Sequence, residues 1–240
     1  QVSAMFDTAS LTLQDNISHL YRSISAIASN PAVSTVYYKK QSNEKSSAYL
    51  RNLNVLDGLF TTFLQNNSWA ENIALLSPGG EVYSTYQNGW NYTTDQFAEE
   101  LSQDSIAWLP ARENVFLISN GKTIPVCFPL RIGTPVSFCI GQAPDLTLVV
   151  YLNFSTMYSV LEQFNTVADS EIYLADSMGR PITMEEENAL FVSLMGKDFR
   201  QQITQCKTYS YFNTQFGGNN DRVRACAVDG SNLYLVHEFP

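Results

Sequence analysis

Ile73-Ala74-Leu75-Leu76-Ser77-Pro78-Gly79-Gly80 runs directly into Glu81-Val82-Tyr83-Ser84. Ninety-nine residues later, Ile172-Tyr173-Leu174-Ala175-Asp176-Ser177-Met178-Gly179 runs into Arg180-Pro181-Ile182-Thr183. In both copies apolar residues at the first and third positions precede a small polar residue at the fifth and a glycine at the eighth. Such a run predicts two strands joined by a tight turn whose glycine takes a positive φ. Its recurrence in the same register predicts two domains of one kind in tandem rather than one large fold.

Working outward from the first copy, the preceding residues read as helices. Val2, Phe6, Ala9 and Leu13 recur at helical spacing, and Ile17, Leu20, Ile24 and Ile27 continue the stripe after an extra step. The pattern is that of a coiled coil with a stutter, ended by Asn30-Pro31 because the residue before a proline avoids the α region. Two uses of this stripe stay open: covering the chain's own domains, or forming a homodimer seam with a second copy. Tyr49, Leu53, Leu56, Phe60 and Phe63 mark a second helix from about Asn43 to Gln65. Strands are expected at Val115 to Ile118, Thr123 to Leu130 and Leu146 to Leu152, with a short helix at Asp95 to Leu101.

After a connecting helix from Ser155 to Phe164 comes the second copy. A short helix from Glu185 to Met195 and strands at Thr208 to Phe216, Arg222 to Val228 and Leu233 to His237 follow. The organisation expected is residues 1–42 as a long N-terminal helix and connector, 43–154 as a first domain, and 155–240 as a connecting helix with a second domain. The fold class is α+β: a long helix followed by two PAS-like domains, each an antiparallel sheet of about five strands with helices on one face.

Composition narrows the function. The 240 residues are 45% apolar, enough for two ordinary cores, while only 15% are charged and the net charge is −9. Nucleic acid is an unexpected partner, because neutralising phosphates needs clustered Lys and Arg. No apolar run approaches the roughly 20 residues of a membrane span. The chain opens on Gln1 inside a helical pattern and closes on Pro240 just after an apolar strand. An excised segment with its flanks removed is the expectation.

Four cysteines without CxxC spacing fit an oxidising compartment. A hairpin turning at Gly133 would place Cys127 and Cys139 opposite each other, each six positions from the turn, as a cross-strand disulfide pair. Two reduced buried thiols are the other reading, and the pairing of Cys206 with Cys226 stays open.

With two such halves behind a long helix, the chain resembles the double Cache extracellular sensor domains of bacterial histidine kinases, chemoreceptors and transmembrane transcriptional regulators. Ile73-Ala74-Leu75-Leu76 with Gly80 carries this resemblance, as does Leu148-Val149-Val150-Tyr151-Leu152-Asn153-Phe154 leading into Met157-Tyr158-Ser159-Val160-Leu161. The resemblance implies a ligand-sensing ectodomain on the extracellular side of a bacterial membrane. It passes a small-molecule signal through flanking transmembrane helices to a cytoplasmic output, with a histidine kinase favoured. An extracellular solute-binding or interaction module without signalling is the alternative. The amino-acid-binding members carry Arg-x-Trp-Tyr. Here Trp108 stands at the tryptophan, but Ile106 and Leu109 replace the arginine and tyrosine, so a free α-amino acid is not supported as the ligand.

Catalysis is not expected of this segment, since neither His19 nor His237 is paired by sequence with a nucleophile. No cofactor or metal is expected, for want of a phosphate-cradling loop, a His-x-x-x-His or an EF-hand spacing. A pocket is better supplied. Tyr83, Tyr86, Trp90, Tyr92, Trp108, Phe116 and Phe128 lie in the first half, where the resemblance implies a ligand wall, although each serves equally well in a core. Arg112 and Arg131 are the candidates for an anionic ligand group, and Arg131 completes the expected site. The second half is expected to transmit rather than bind.

Overall fold

The computed structural model describes residues 2–85, 105–113, 121–133, 144–184, 201–205, 210–216 and 219–239. In chain order the helices α1 (Val2–Ala28), α2 (Pro31–Gln41) and α3 (Ser47–Asn66) precede strands β1 (Ala70–Ser77) and β2 (Gly80–Ser84). Two short strands, β3 (Ala107–Trp108) and β4 (Arg112–Glu113), are followed by β5 (Lys122–Leu130) and β6 (Leu146–Asn153). Helix α4 (Phe154–Glu162) leads to β7 (Glu171–Ala175), β8 (Ser210–Phe216), β9 (Asn219–Val228) and β10 (Leu233–Phe239). The expected helix at Asp95 to Leu101, strand at Val115 to Ile118 and helix at Glu185 to Met195 lie outside the described residues.

Two compact units emerge. Unit 1 comprises Gln1–His19, Leu109–Glu113 and Phe154–Pro240, and unit 2 comprises Leu20–Trp108 and Asn114–Asn153. Helix α1 contributes to both. Its stripe is consumed inside the chain: Phe6, Ala9, Leu13, Ile17, Leu20, Ile24 and Ile27 are each at most 4% exposed. That excludes these seven side chains from a seam with a second copy, the other use the sequence left open. Burying each of the larger ones contributes about 1.5–3 kcal/mol, which is why the helix forms where it does.

Asn30-Pro31 does end α1, and it also starts α2, a helix the apolar pattern did not announce. The Asn30 side chain accepts from the Ala32 N–H at 2.9 Å and Pro31 opens the first turn, where its missing N–H is not needed. Ser46 caps α3 in the same way, accepting from the Tyr49 N–H.

In unit 2 the antiparallel strand order is β2-β1-β6-β5-β3. The opening hairpin forms as the sequence predicts, with Ser77 opposite Gly80 and Gly80 at φ +120°. Strand β5 pairs along its length with β6, and at Ala107–Trp108 with β3, so the positions beside Cys127 are held by Val149 and Ala107. Cys127 is buried, and Cys139 lies outside the described residues.

Unit 1 holds a sheet of order β7-β10-β9-β8. Here the second copy of the repeat diverges from the first. Residues 180–183 form no full strand, only an isolated bridge between Ala175 and Pro181. Ile182 N–H donates to Leu174 O at 2.7 Å as a ladder requires, but Leu174 N–H donates to the Thr183 hydroxyl at 2.8 Å instead of returning the bond to the Ile182 carbonyl. The turn itself is kept, with Gly179 at φ +72° and Asp176 Oδ1 accepting from the Met178 and Arg180 N–H groups.

Candidate functional site

Register partners in a sheet share a face, and alternate residues along a strand point to opposite faces. In unit 2 this rule gathers three of the sequence-predicted site residues. Tyr83, Leu75, Leu148 and Phe128 form one row across β2, β1, β6 and β5. Ile73, Val150, Val126 and Trp108 form the next row on the same face.

Helices cover that face. The Tyr83 ring meets Phe60 of α3 at 5.4 Å, and its hydroxyl donates to Asp57 Oδ1 at 2.7 Å. Tyr21 of α1 meets Phe128 edge-on at 5.5 Å and accepts from the Trp108 indole N–H at 2.9 Å. Burial pushes the Tyr21 phenol up to about 12, against the opposing pull of the Trp108 hydrogen bond. Sequence reasoning missed Tyr21. The signal was a polar-tipped aromatic standing beside Leu20 and Ile24 in the apolar stripe.

Arg131 follows β5 and is exposed, away from any buried row. Arg112 is half-buried, in unit 1, with its Nε donating to Pro110 O at 3.5 Å. Tyr86, Trp90, Tyr92 and Phe116 lie outside the described residues.

The opposite face of the unit 2 sheet carries different chemistry. Asn72, Ala74 and Leu76 of β1, Thr147, Val149 and Tyr151 of β6, and Thr123 and Cys127 of β5 alternate onto it, and all are buried. Asn72 sits opposite Tyr151, which in turn sits opposite Pro125, and Thr123 sits opposite Asn153. The Asn72 carbonyl accepts from Ile73 N–H at 2.7 Å and from the Thr85 hydroxyl. Its Nδ2, and the Thr123 hydroxyl, are buried without a hydrogen-bond partner among the described residues. Buried polar atoms are normally satisfied, so two on a single sheet face without a partner among the described residues set this face apart. The sequence signal for both was faint: a polar residue near the start of a strand whose middle is apolar on both faces.

Unit 1 has its own polar core. The Arg224 guanidinium lies 4.5 Å above the Phe6 ring and 3.3 Å from Asp7 Oδ1, while His237 stacks on Phe6 and lies 3.2 Å from Ser170 Oγ. Burial, helped by the Arg224 charge, holds the His237 imidazole below its ordinary range. Its sheet's other face packs Tyr173, Ala225 and Val236 against Met184 and Ile203. Burial first, then Glu238 and Glu171, pushes the Tyr173 phenol well above its usual value. Among the described residues there is no group of three metal-ligating side chains, and no helix is long and apolar enough to cross a membrane.

The fold is that of extracellular Cache-type sensor domains. The ligand-binding domain of the Pseudomonas aeruginosa amino acid chemoreceptor PctB, solved with L-Arg, superposes at TM-score 0.62 and 14% identity, over 99% of this chain and 86% of that one. The extracellular domain of the assigned histidine kinase rpHK1S-Z16 superposes at 0.60 and 14% identity, over 99% and 93%. An extracellular ligand binding receptor from Desulfohalobium retbaense superposes at 0.59 and 11% identity, over all of this chain, which spans 40% of that receptor's chain. No protein-family model matches the chain, and no curated protein does.

Proposed function

We propose that this chain is the ligand-sensing part of a membrane receptor, lying on the extracellular side of a bacterial membrane and serving a cytoplasmic output of the histidine-kinase kind. The observation that carries this reading is the match, over essentially the whole chain, to the folds of extracellular ligand-binding domains of chemoreceptors and kinases. A small molecule is received in unit 2, on the sheet face opposite α1 and α3, where Asn72 Nδ2 and the Thr123 hydroxyl have no partner among the described residues. Tyr83, Trp108 and Phe128 then act from behind that face, fixing the strands to α3 and α1. Unit 1 relays. A second copy would be met by the outward side of α1, where Leu11 is 62% exposed, rather than by the buried stripe.

A thermal-shift screen of metabolites against the chain tests the reading. One or more compounds should raise the melting temperature, and Trp108→Ala should alter the response. A screen in which nothing shifts the wild type, joined to a full-length gene without flanking hydrophobic spans, would sink the proposal.

A further inference from the structure

We infer that the compound received by unit 2 is uncharged and polar, and that it offers a hydrogen-bond acceptor to Asn72 Nδ2 and a second polar group to the Thr123 hydroxyl. This rests on the sensor reading above and names the chemistry of its site.

The orientation of the Asn72 amide is set by its neighbours. Ile73 N–H can only donate, so the atom it meets at 2.7 Å is the carbonyl oxygen. The end left over is the NH2 group, a donor. Thr123 stands on the same face two strands away and two residues along, about 12 Å by ordinary strand spacing and rise, with Tyr151 of β6 between them. A molecule of a few rings or a short chain spans that gap.

The charge balance decides the class. Among the described residues on this face, Asn72, Ala74, Leu76, Thr123, Cys127, Thr147, Val149 and Tyr151 are neutral, whereas the carboxylate of Glu81, in register with Leu76, lies four residues along β1 from Asn72 and accepts from the Ser84 hydroxyl. The nearby Glu71 carboxylate is taken by the Asn153 amide. No described side chain between Asn72 and Thr123 on this face supplies a counter-charge, and burying a ligand carboxylate or ammonium unpaired is strongly unfavourable, whereas a carbonyl, ether or hydroxyl needs only the Asn72 donor. The replacement of the amino-acid motif's arginine by Ile106 points the same way.

Two measurements test the inference. Thr123→Val keeps the shape and removes the hydroxyl. In the chain without added compound it should raise the melting temperature by about 2 °C or more, because a buried polar group with no partner is being deleted. A fall would mean that the protein itself satisfies the hydroxyl, and would overturn the inference. The second measurement compares thermal shifts from uncharged probes (cyclic diglycine, nicotinamide, N-acetylglucosamine, inositol) with those from charged ones (amino acids, dicarboxylates, polyamines). Hits should fall in the uncharged set and weaken by at least about tenfold with Asn72→Asp, which exchanges a donor for an acceptor. Hits confined to the charged set, or indifferent to Asn72→Asp, overturn this inference and leave the sensor reading standing. No hit in either set overturns this inference, and only together with a full-length gene lacking flanking hydrophobic spans does it sink the sensor reading as well.

Discussion

The indole N–H of Trp108 donates to the phenolic oxygen of Tyr21 at 2.9 Å, joining β3 to the later part of α1 within unit 2. Trp108 is the last residue of a two-residue strand whose other member, Ala107, points to the opposite sheet face beside Cys127. One short strand therefore touches both the helix and the proposed ligand face.

Tyr21→Phe removes the acceptor and leaves the buried indole N–H unpaired. Loss of about 1–3 kcal/mol of unfolding free energy is expected, measured by urea denaturation followed through tryptophan fluorescence. Trp108→Phe should cost less of the hydrogen-bond part, since it removes the donor together with the need to satisfy it. An unchanged Tyr21→Phe midpoint would show that the bond contributes nothing.

The Tyr21 phenol, raised to about 12, gives a pH signature at the alkaline end. The unfolded chain ionises near pH 10, so the fold's advantage is complete below that value and is lost as pH rises from about 10 to 12. Buried Tyr173 titrates in the same direction in both proteins, so across this range the wild type should lose more stability than Tyr21→Phe, and the difference is the Tyr21 contribution.

His237 gives the opposite signature. Its folded value is lowered by burial and by Arg224, so the unfolded chain takes up the proton first. Stability is complete above about pH 6.5 and falls as pH drops from there towards the folded value. Thermal melts of wild type and His237→Gln at about pH 7.5 and pH 5.5 should differ in slope, the variant being the flatter. Parallel slopes would exclude His237 as the titrating group.

Gly80 takes φ +120° in the β1–β2 turn, and a Cβ built there meets nothing within 4 Å. Any penalty for Gly80→Ala is therefore a backbone penalty, expected at about 1–3 kcal/mol in chemical denaturation. In the second copy the corresponding weak point is Asp176, whose carboxylate accepts from two backbone N–H groups and from Arg180 Nε at 2.6 Å. Asp176→Ala should cost a similar amount, about 1–3 kcal/mol, by leaving turn donors unsatisfied.

Legibility in the sequence followed the range of the physics. The stripe from Phe6 to Ile27, the helix ending in Phe60 and Phe63, the turn at Gly80 and the strands at Thr123 to Leu130 and Leu146 to Leu152 all depend on near-neighbour spacing, and all are found. Helix α2 was hidden because its apolar stripe is short, although Asn30-Pro31 carried its cap. The return arm of the second repeat stops at a single bridge because the Leu174 N–H, which a continued ladder would give to the Ile182 carbonyl, goes instead to the Thr183 hydroxyl.

The site was read less well than the fold, for a reason of dimension. The sequence by itself determined the helices, the strands, the tandem α+β plan and the aromatic wealth of the first half, because periodicity and turn chemistry act between residues a few positions apart. Only the tertiary structure decided that Tyr83, Trp108 and Phe128 stand on the helix-covered face, that the α1 stripe is buried within the chain, and that Asn72 and Thr123 share the other face with polar atoms unpaired among the described residues. Those facts depend on which strands lie side by side and in what register. A one-residue change of register would have turned every one of these side chains to the opposite face.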